Sequence, residues 1–302
     1  IEKYDEWKDD KNFVEDVMRF LDNVLQDFIN KAPDSFQNAK YAAMRERSVG
    51  LGVMGLHSYF QQKAIPFGSV MSKVWNKKIF SNIQNKVDKA SKDLAEERGA
   101  CPDAEEFGVK ERFSNKTAIA PTASISIICG GASPGIEPIA ANSYTHKTLS
   151  GSYNVRNKYL AKTLEKYKKN TDEVWSSITT NQGSVSHLDF LSSEEKETFK
   201  TAFEIDQRWV VELGADRTPH ISQAQSINVF IPADVHKKEL HQLHFQAWKK
   251  GLKSLYYCRS KSIQRAENIN SGSSTDVTKN VYSNKKESSK DENKYEECLS
   301  CQ

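Results

Sequence analysis

Short apolar runs alternate with long amphipathic segments along most of the chain, and this alternation constrains the fold more than any other feature. Strands are predicted at 117–120, 226–231 and 252–258, with helices at 12–30, 72–98 and between Pro232 and Gly251. The first helix carries six apolar residues on one face: Phe13, Val17, Phe20, Leu21, Val24 and Phe28. The second has five inward residues, Ile79, Ile83, Val87, Ala90 and Leu94, and ends at Gly99. This order predicts an α/β fold with parallel strands.

Composition excludes several classes of function. The 302 residues carry 43 Lys+Arg against 40 Asp+Glu, so neither a nucleic-acid groove nor a basic membrane surface is expected. No apolar run reaches the roughly 18 residues that span a bilayer. Five cysteines, an odd number, do not form a secreted disulfide framework, which favours a reducing cytoplasm. The chain begins with Ile1, so we expect an amino end made by processing, gene splitting or fragment choice.

The composition changes after residue 262. Residues 263–302 are rich in Ser, Asn, Lys, Glu and Asp and have little to bury, which predicts a disordered tail after a folded domain of residues 1–262. Cys298 and Cys301 close this tail with two residues between them. Such a pair can form a disulfide and carry electrons to a distant site, supply half of a zinc site, or remain two exposed thiols.

Two motifs favour ordinary structural interpretations. Residues 50–55 match G-x-G-x-x-G, but no Asp or Glu follows between 56 and 87 to hold a ribose, so we expect glycines that allow close packing at a strand-to-helix turn. Four residues of one helix could suggest a metal site: His236, Glu239, His241 and His244. Their spacing matches no metal-binding motif, so a solvated or partly packed helix face is expected.

The run that begins at Ala120 and Pro121 points to anion binding. A short strand, a proline turn and the hydroxyls of Thr122 and Ser124 lead into a helix start, where free N–H groups favour an anion. Ordinary capping by Thr122 or Ser124 is the alternative. Tyr256 and Tyr257 end a predicted strand, and the two-residue strand period places adjacent side chains on opposite faces.

These pieces occur together, and in this order, in one family. The chain resembles the carboxy-terminal part of the large, catalytic subunit of class I ribonucleotide reductase. The matching blocks are residues 47–56, 120–124, 135–138, 148–151, 223–228 and 248–257, with the closing Cys298 and Cys301. The resemblance covers essentially the whole chain. It implies the later half of a ten-stranded α/β barrel in which two parallel half-sheets surround a finger loop.

The resemblance also implies roles for single residues. Thr122, Ala123 and Ser124, with the next main-chain amides, would hold the diphosphate of a ribonucleoside diphosphate; Ile125 replaces a frequent Ser or Thr and would keep only its amide contact. Tyr257 would receive a radical from the small subunit and Tyr256 would pass it to the active-site cysteine. Cys298 and Cys301 would reduce the active-site disulfide and be reduced in turn by thioredoxin or glutaredoxin.

Part of the family's machinery is absent from these blocks. The radical cysteine, its Asn and Glu neighbours and two reducing cysteines lie on the amino side of residue 12 in the family's order, and Cys101, Cys129 and Cys258 sit outside those motifs. We therefore expect this chain to be one part of a catalytic subunit, inactive alone, that assembles with an amino-terminal fragment. We expect it to bind no cofactor itself, because the metal and the radical would reside on the small subunit. The alternatives are a non-catalytic redox or zinc-binding adaptor with this fold and a nicotinamide oxidoreductase.

Overall fold

The computed structural model describes residues 1–148 and 151–260. Its α-helices are α1 Tyr4–Trp7, α2 Phe13–Lys31, α3 Gln37–Glu46, α4 Leu56–Gln62, α5 Val70–Arg98, α6 Pro102–Glu106, α7 Ala123–Ile128, α8 Lys158–Lys166, α9 Asp172–Thr180, α10 Ser193–Thr198, α11 Gln207–Arg217 and α12 Lys237–Lys249. Its strands are β1 Ser143–Thr148, β2 Gly151–Arg156, β3 Val229–Ile231 and β4 Cys258–Ser260. The predicted tail, with Cys298 and Cys301, lies outside the described residues.

Parallel pairing joins four segments that are distant in sequence. Leu51 pairs with Thr117, and Ile119 pairs with Gln225, each through a parallel bridge. The last of these segments continues into β3, which pairs in parallel with β4. The predicted parallel α/β arrangement is therefore confirmed. A separate antiparallel hairpin is formed by β1 and β2.

Helix α5 is the central helix of the main core. Its predicted inward residues are all buried, and Gly99 follows its last residue with a φ of 87°. The hydroxyl of Ser69 accepts a hydrogen bond from the Ser72 N–H and so caps the start of the helix. Helices α2 and α11 pack against α5. The long helix predicted at 72–98 is thus confirmed, with two further residues at its start.

Helix α2 forms as predicted, but it buries a different face. Phe20 is 64% exposed and Phe13, Val24 and Phe28 are also exposed, whereas Met18 is fully buried. The fully buried Asp22 lies on the same inner face as Met18. An apolar helix face ordinarily packs on the core. The inner face is a second apolar face, which also includes the buried Val14 and Ile29, and Asp22 ties it to ionic partners from other elements that helical periodicity does not reveal.

The strand predicted at 252–258 is wrong for most of its length. Regular pairing begins only at Cys258 and runs to Ser260. The N–H of Tyr257 donates to the side-chain oxygen of Asn228 at 2.9 Å, not to a main-chain carbonyl. A side-chain acceptor at Tyr257 interrupts the regular main-chain ladder, so the strand starts at the next residue, Cys258.

A smaller apolar cluster lies apart from the main core. It is built around α8, α9 and the segment that leads to α10, with Trp175 fully enclosed. Its other buried members are Tyr159, Leu160, Leu164, Ile178, Val185, Leu188, Leu191 and Phe199. In the described part of the chain, no helix is both long enough and apolar enough to cross a membrane.

Candidate functional site

The turn at residues 120–125 presents free main-chain donors. Thr122 has a φ of 53°, in the left-handed region, and α7 begins at the next residue. Among the described residues, the N–H groups of Ala123, Ser124 and Ile125 donate no hydrogen bond. The first N–H groups of a helix have no acceptor within it and attract negative charge. The turn is therefore able to hold an anionic oxygen.

The hydroxyl of Thr122 does not cap its own helix. It accepts a hydrogen bond of 2.8 Å from the N–H of Gly135, and no side-chain cap forms at the start of α7. The capping alternative from the sequence is thus wrong. Ser124 and Ile125 have exposed side chains, so solvent or a ligand can reach both.

Gly135 allows a second loop to approach this turn. A Cβ built on Gly135 would lie 2.9 Å from the carbonyl oxygen of Ala120, and the residue has a φ of 43°. Both facts favour glycine, because a side chain would collide with the turn and the backbone conformation is strained for other residues. The Gly135-to-Pro138 block therefore packs directly behind the candidate anion site.

Glu137 and Asn228 connect this loop to the tyrosine pair. Both are buried, and the Asn228 side-chain amide donates a hydrogen bond to Glu137 Oε1. Asn228 Oδ1 in turn accepts the N–H of Tyr257 at 2.9 Å. Burial raises the pKa of Glu137 to about 7, against the opposing effects of the Arg259 charge and the Asn228 hydrogen bond. The structure thus forms a continuous path from the turn to the tyrosines.

The two tyrosine rings lie side by side. Their centroids are 4.2 Å apart with an interplanar angle of 56°, and the side chains are 44% and 43% exposed. The prediction from strand period, that Tyr256 and Tyr257 point to opposite faces, is wrong because neither residue lies in the regular strand. Close aromatic rings at a surface can exchange an electron with each other and with a partner that covers them.

A largely apolar cavity of about 450 Å³ opens beside the turn. Its lining includes Thr122 and Ala120 from the turn, the segment at 50–54, and Phe13 at the start of α2. Its volume falls in the range of roughly 300–1,000 Å³ that small-molecule sites occupy. The turn therefore borders a space into which the rest of a phosphate ligand could extend.

Two interpretations from the sequence are confirmed: the glycines at 50–55 allow close packing, and the helix with the histidines presents a solvated face. A Cβ on Gly52 would lie 2.6 Å from the carbonyl oxygen of Ala118, and Gly55 has a φ of 83° directly before α4. These glycines therefore allow strand contact and the turn into a helix. His236, Glu239, His241 and His244 are all exposed on or next to α12. No cluster of three or more His, Cys, Asp or Glu suited to a metal occurs among the described residues.

Of the predicted site residues, Thr122, Ala123, Ser124 and Ile125 form one turn, and Tyr256 and Tyr257 form one pair. Cys298 and Cys301 lie outside the described residues, so their position relative to this turn is not defined. Sequence reasoning missed Glu137, Asn228 and Arg259 as site residues. A carboxylate between Ile136 and Pro138 in an otherwise apolar block was the available signal.

The chain is similar in sequence to known proteins. The family profile described as "Ribonucleotide reductase, barrel domain" matches residues 2–110 and 102–258. The ribonucleoside-diphosphate reductase large subunit of Invertebrate iridescent virus 6 is 48% identical over 295 residues, which are 96% of this chain and 30% of the relative. The large subunit of Invertebrate iridescent virus 3 is 41% identical, over 91% of this chain and 44% of the relative.

A solved structure shows the same fold. The class Id ribonucleotide reductase alpha subunit of Actinobacillus ureae superposes with a TM-score of 0.80 at 39% identity, and the match covers 86% of this chain and 48% of that chain. The present chain thus spans between about a third and a half of the length of these three relatives.

Proposed function

The chain belongs to the ribonucleotide reductase large-subunit family through its barrel domain, and on this premise we propose that it is the carboxy-terminal part of a catalytic subunit that reduces ribonucleoside diphosphates. The product is the deoxyribonucleoside diphosphate, formed by a radical mechanism. The chain supplies the turn for the diphosphate, the tyrosine relay and the tail dithiol.

The turn before α7 holds the substrate. The free N–H groups of Ala123, Ser124 and Ile125 donate to the diphosphate oxygens, and the exposed Ser124 hydroxyl adds a fourth donor. Thr122 keeps its hydroxyl oxygen on Gly135 and fixes the turn. Donors that are already in place lose little freedom when the anion binds. Ile125 contributes its amide alone, because its side chain carries no hydroxyl.

The tyrosine pair carries the radical. Tyr257 receives it from the small subunit and Tyr256 passes it to an active-site cysteine, with one proton and one electron moving in each step. The ring separation of 4.2 Å and the half-exposed position of both rings support this role. The phenol oxygens are required, because a phenylalanine ring has no proton to release at an accessible potential.

The tail returns electrons to the active site. Reduction of the ribose removes the 2′-hydroxyl as water and takes two electrons from two active-site thiols, which become a disulfide. Cys298 and Cys301 reduce that disulfide by thiol–disulfide exchange and are oxidised to a disulfide themselves. Thioredoxin or glutaredoxin then supplies the two electrons that restore the tail.

Three partners follow from this scheme. The small subunit provides the radical and its metal centre, the amino-terminal part of the large subunit provides the thiyl cysteine and the reducing thiols, and a dithiol protein of the cytoplasm reduces the tail. This chain binds no cofactor of its own in the scheme. The length of the relatives, two to three times that of the match, supports a separate or preceding amino-terminal part.

One observation supports the scheme above the others: the path of contacts from the turn to the tyrosines. Thr122 receives the Gly135 N–H, Glu137 receives the Asn228 amide, and Asn228 receives the Tyr257 N–H. A substrate site and a radical relay must meet at one cysteine. These contacts link both the turn and the Tyr257 main chain to the buried loop at residues 135–138, which supports their action at one site.

Reconstituted activity tests the proposal. The chain is mixed with an amino-terminal large-subunit fragment, the small subunit and thioredoxin, and CDP reduction is measured. We expect activity from the mixture and none from the 302-residue chain alone. We expect Tyr256→Phe and Tyr257→Phe to reduce the rate to background, because each blocks one proton-coupled step.

Tyr41→Phe is the matched control. Tyr41 is 61% exposed on α3 and outside the site, so its variant should keep the full rate. Full activity of either relay variant would refute the relay. Activity of the chain alone would refute the need for an amino-terminal part.

A further inference from the structure

Glu137 is a buried carboxyl group that the proposed reaction does not use. Its side chain is buried in the loop behind the turn and contacts Asn228, which also holds the N–H of Tyr257. Burying a carboxyl group is costly unless a partner compensates for the lost water. The Asn228 amide is its hydrogen-bond partner.

Asn228 transmits the state of Glu137 to Tyr257. Asn228 is fully buried, with its amide nitrogen on Glu137 and its amide oxygen on the Tyr257 N–H. A reversed amide would place an N–H against an N–H and leave both neighbours unsatisfied. Glu137 therefore fixes the orientation of the group that holds the Tyr257 main chain.

Arg259 places a positive charge over the ring of Tyr257. Its guanidinium lies 5.8 Å from the centroid of the Tyr257 ring, and its buried Nε has no hydrogen-bond partner among the described residues. Its charge also favours the carboxylate form of Glu137. Arg259 thus interacts electrostatically with Glu137 and also lies over the ring of Tyr257.

Two other titratable groups on neighbouring segments stay neutral around pH 7. His57 on α4 accepts the N–H of Ile139, and burial lowers the pKa of its imidazole to about 3. Burial raises the pKa of the Cys258 thiol above its ordinary value. Of these three groups, Glu137 is the one with a pKa in this range, because burial raises the pKa of its carboxyl group to about 7.

We propose that Glu137 is a positioning residue for the tyrosine pair, acting through Asn228 on the Tyr257 main chain and through Arg259 on the charge beside the Tyr257 ring. The role as positioning residue for a radical relay rests on the proposed function. The coupling of Glu137 to Tyr257 through Asn228 does not, and it is measurable in the chain by itself.

A fluorine label at position 257 measures the coupling of Glu137 to Tyr257. The 302-residue chain is prepared with Tyr257→4-fluorophenylalanine, which has no phenol to titrate, and its 19F shift is followed from pH 5.5 to 8.5. We expect one step with a midpoint at about pH 7, as Glu137 loses its proton. In Glu137→Gln, which keeps an acceptor for Asn228 but cannot ionise, the step should vanish and the shift stay at its pH 5.5 value.

Two further variants separate this role from simple packing. Arg259→Gln removes the charge that favours the carboxylate, so the midpoint should move to higher pH. Glu137→Leu removes the acceptor, so the signal at pH 5.5 should already differ from that of the parent chain. A label at the exposed Tyr41 should show no step in any variant.

A flat titration at position 257, or a step that persists in Glu137→Gln, would overturn the proposal. A midpoint that does not move in Arg259→Gln would overturn the part assigned to Arg259. These outcomes leave the relay itself untouched, because the relay stands or falls with the Tyr→Phe activities. Conversely, an active Tyr257→Phe enzyme would refute the relay while the coupling to Glu137 remained measurable.

Discussion

At the scale of single residues, Asp22 shows how a charge can belong to the core. Its carboxylate is buried and receives hydrogen bonds from Arg47, Arg98 and Arg112, which come from three separate parts of the chain. Burial raises the pKa of Asp22, and the three guanidinium groups outweigh it, so the pKa is lowered overall. The interaction ties α2 to the ends of α3 and α5.

Asp22→Asn should destabilise the fold by about 3–5 kcal/mol at pH 7, because it leaves buried guanidinium groups without their counter-charge. The folded-state pKa is lowered from 3.8, so the stabilisation is present above that pH and is lost as the pH falls through the folded value. Urea unfolding at pH 7 and pH 3 measures both effects. The gap between variant and parent should narrow at pH 3.

Asp27→Asn is the control for this prediction. Asp27 pairs with Lys31 on the exposed side of the same helix, and surface pairs contribute about 0–1 kcal/mol. Equal losses from Asp22→Asn and Asp27→Asn would show that the buried cluster has no special role.

At the scale of elements, α2 shows that a sequence pattern can predict a helix correctly without predicting which of its faces is buried. The 19-residue helix forms where the pattern predicts, but Met18 and Asp22 face the core while Phe20 faces outward. The ion pairs from Asp22 to Arg98 and from Arg19 to Glu97 attach this helix to the end of α5. The rotation of α2 about its axis is thus set by its neighbour.

Met18→Ala should cost about 2–5 kcal/mol of unfolding free energy, since it opens a cavity in the core. Phe20→Ala should lower the unfolding free energy by much less than Met18→Ala, because the Phe20 ring is 64% exposed and loses little contact. Chemical denaturation of the two variants measures the difference. A larger loss from Phe20→Ala would show that the outward face of α2 is buried in solution.

At the scale of the whole molecule, the described residues form three apolar clusters of unequal size. The largest joins α2, α4, α5 and α11, a second lies around α8 and α9, and a small third one lies between α11, β3 and α12. Segments with fewer buried apolar contacts open at lower free energy than the main core. We therefore expect the region around α8 and α9 to open while α5 stays closed.

Trp175→Ala tests this division by native-state hydrogen exchange. Removing the enclosed indole should cost about 3–5 kcal/mol and lower the protection of amides in α8 and α9, while the amides of α5 keep theirs. Trp248→Ala is the control, because its side chain is 73% exposed on α12. An equal fall of protection in α5 would mean that the two larger clusters unfold as one unit.

The candidate site was predictable where the signal was local. The helix start at Ala123 and the glycine contacts at Gly50–Gly55 depend on neighbouring residues and on backbone geometry, and both are present as predicted. Glu137 was not predictable as a site residue, because its partner Asn228 lies 91 positions away. The arrangement of the tyrosine rings also depended on Asn228, through the N–H of Tyr257.

The sequence by itself determined where the three longest helices form, why glycines occur at 50–55, that the segments of the α/β core pair in parallel, and the family to which the chain belongs. These properties follow from side-chain period, backbone freedom and short blocks of residues, all encoded within a few turns of chain. Only the tertiary structure decided which face of α2 is buried, that the two tyrosine rings lie side by side, and which carboxyl group is linked to Tyr257 through Asn228. Each of these depends on contacts between segments that are far apart in sequence, and local periodicity carries no information about such contacts.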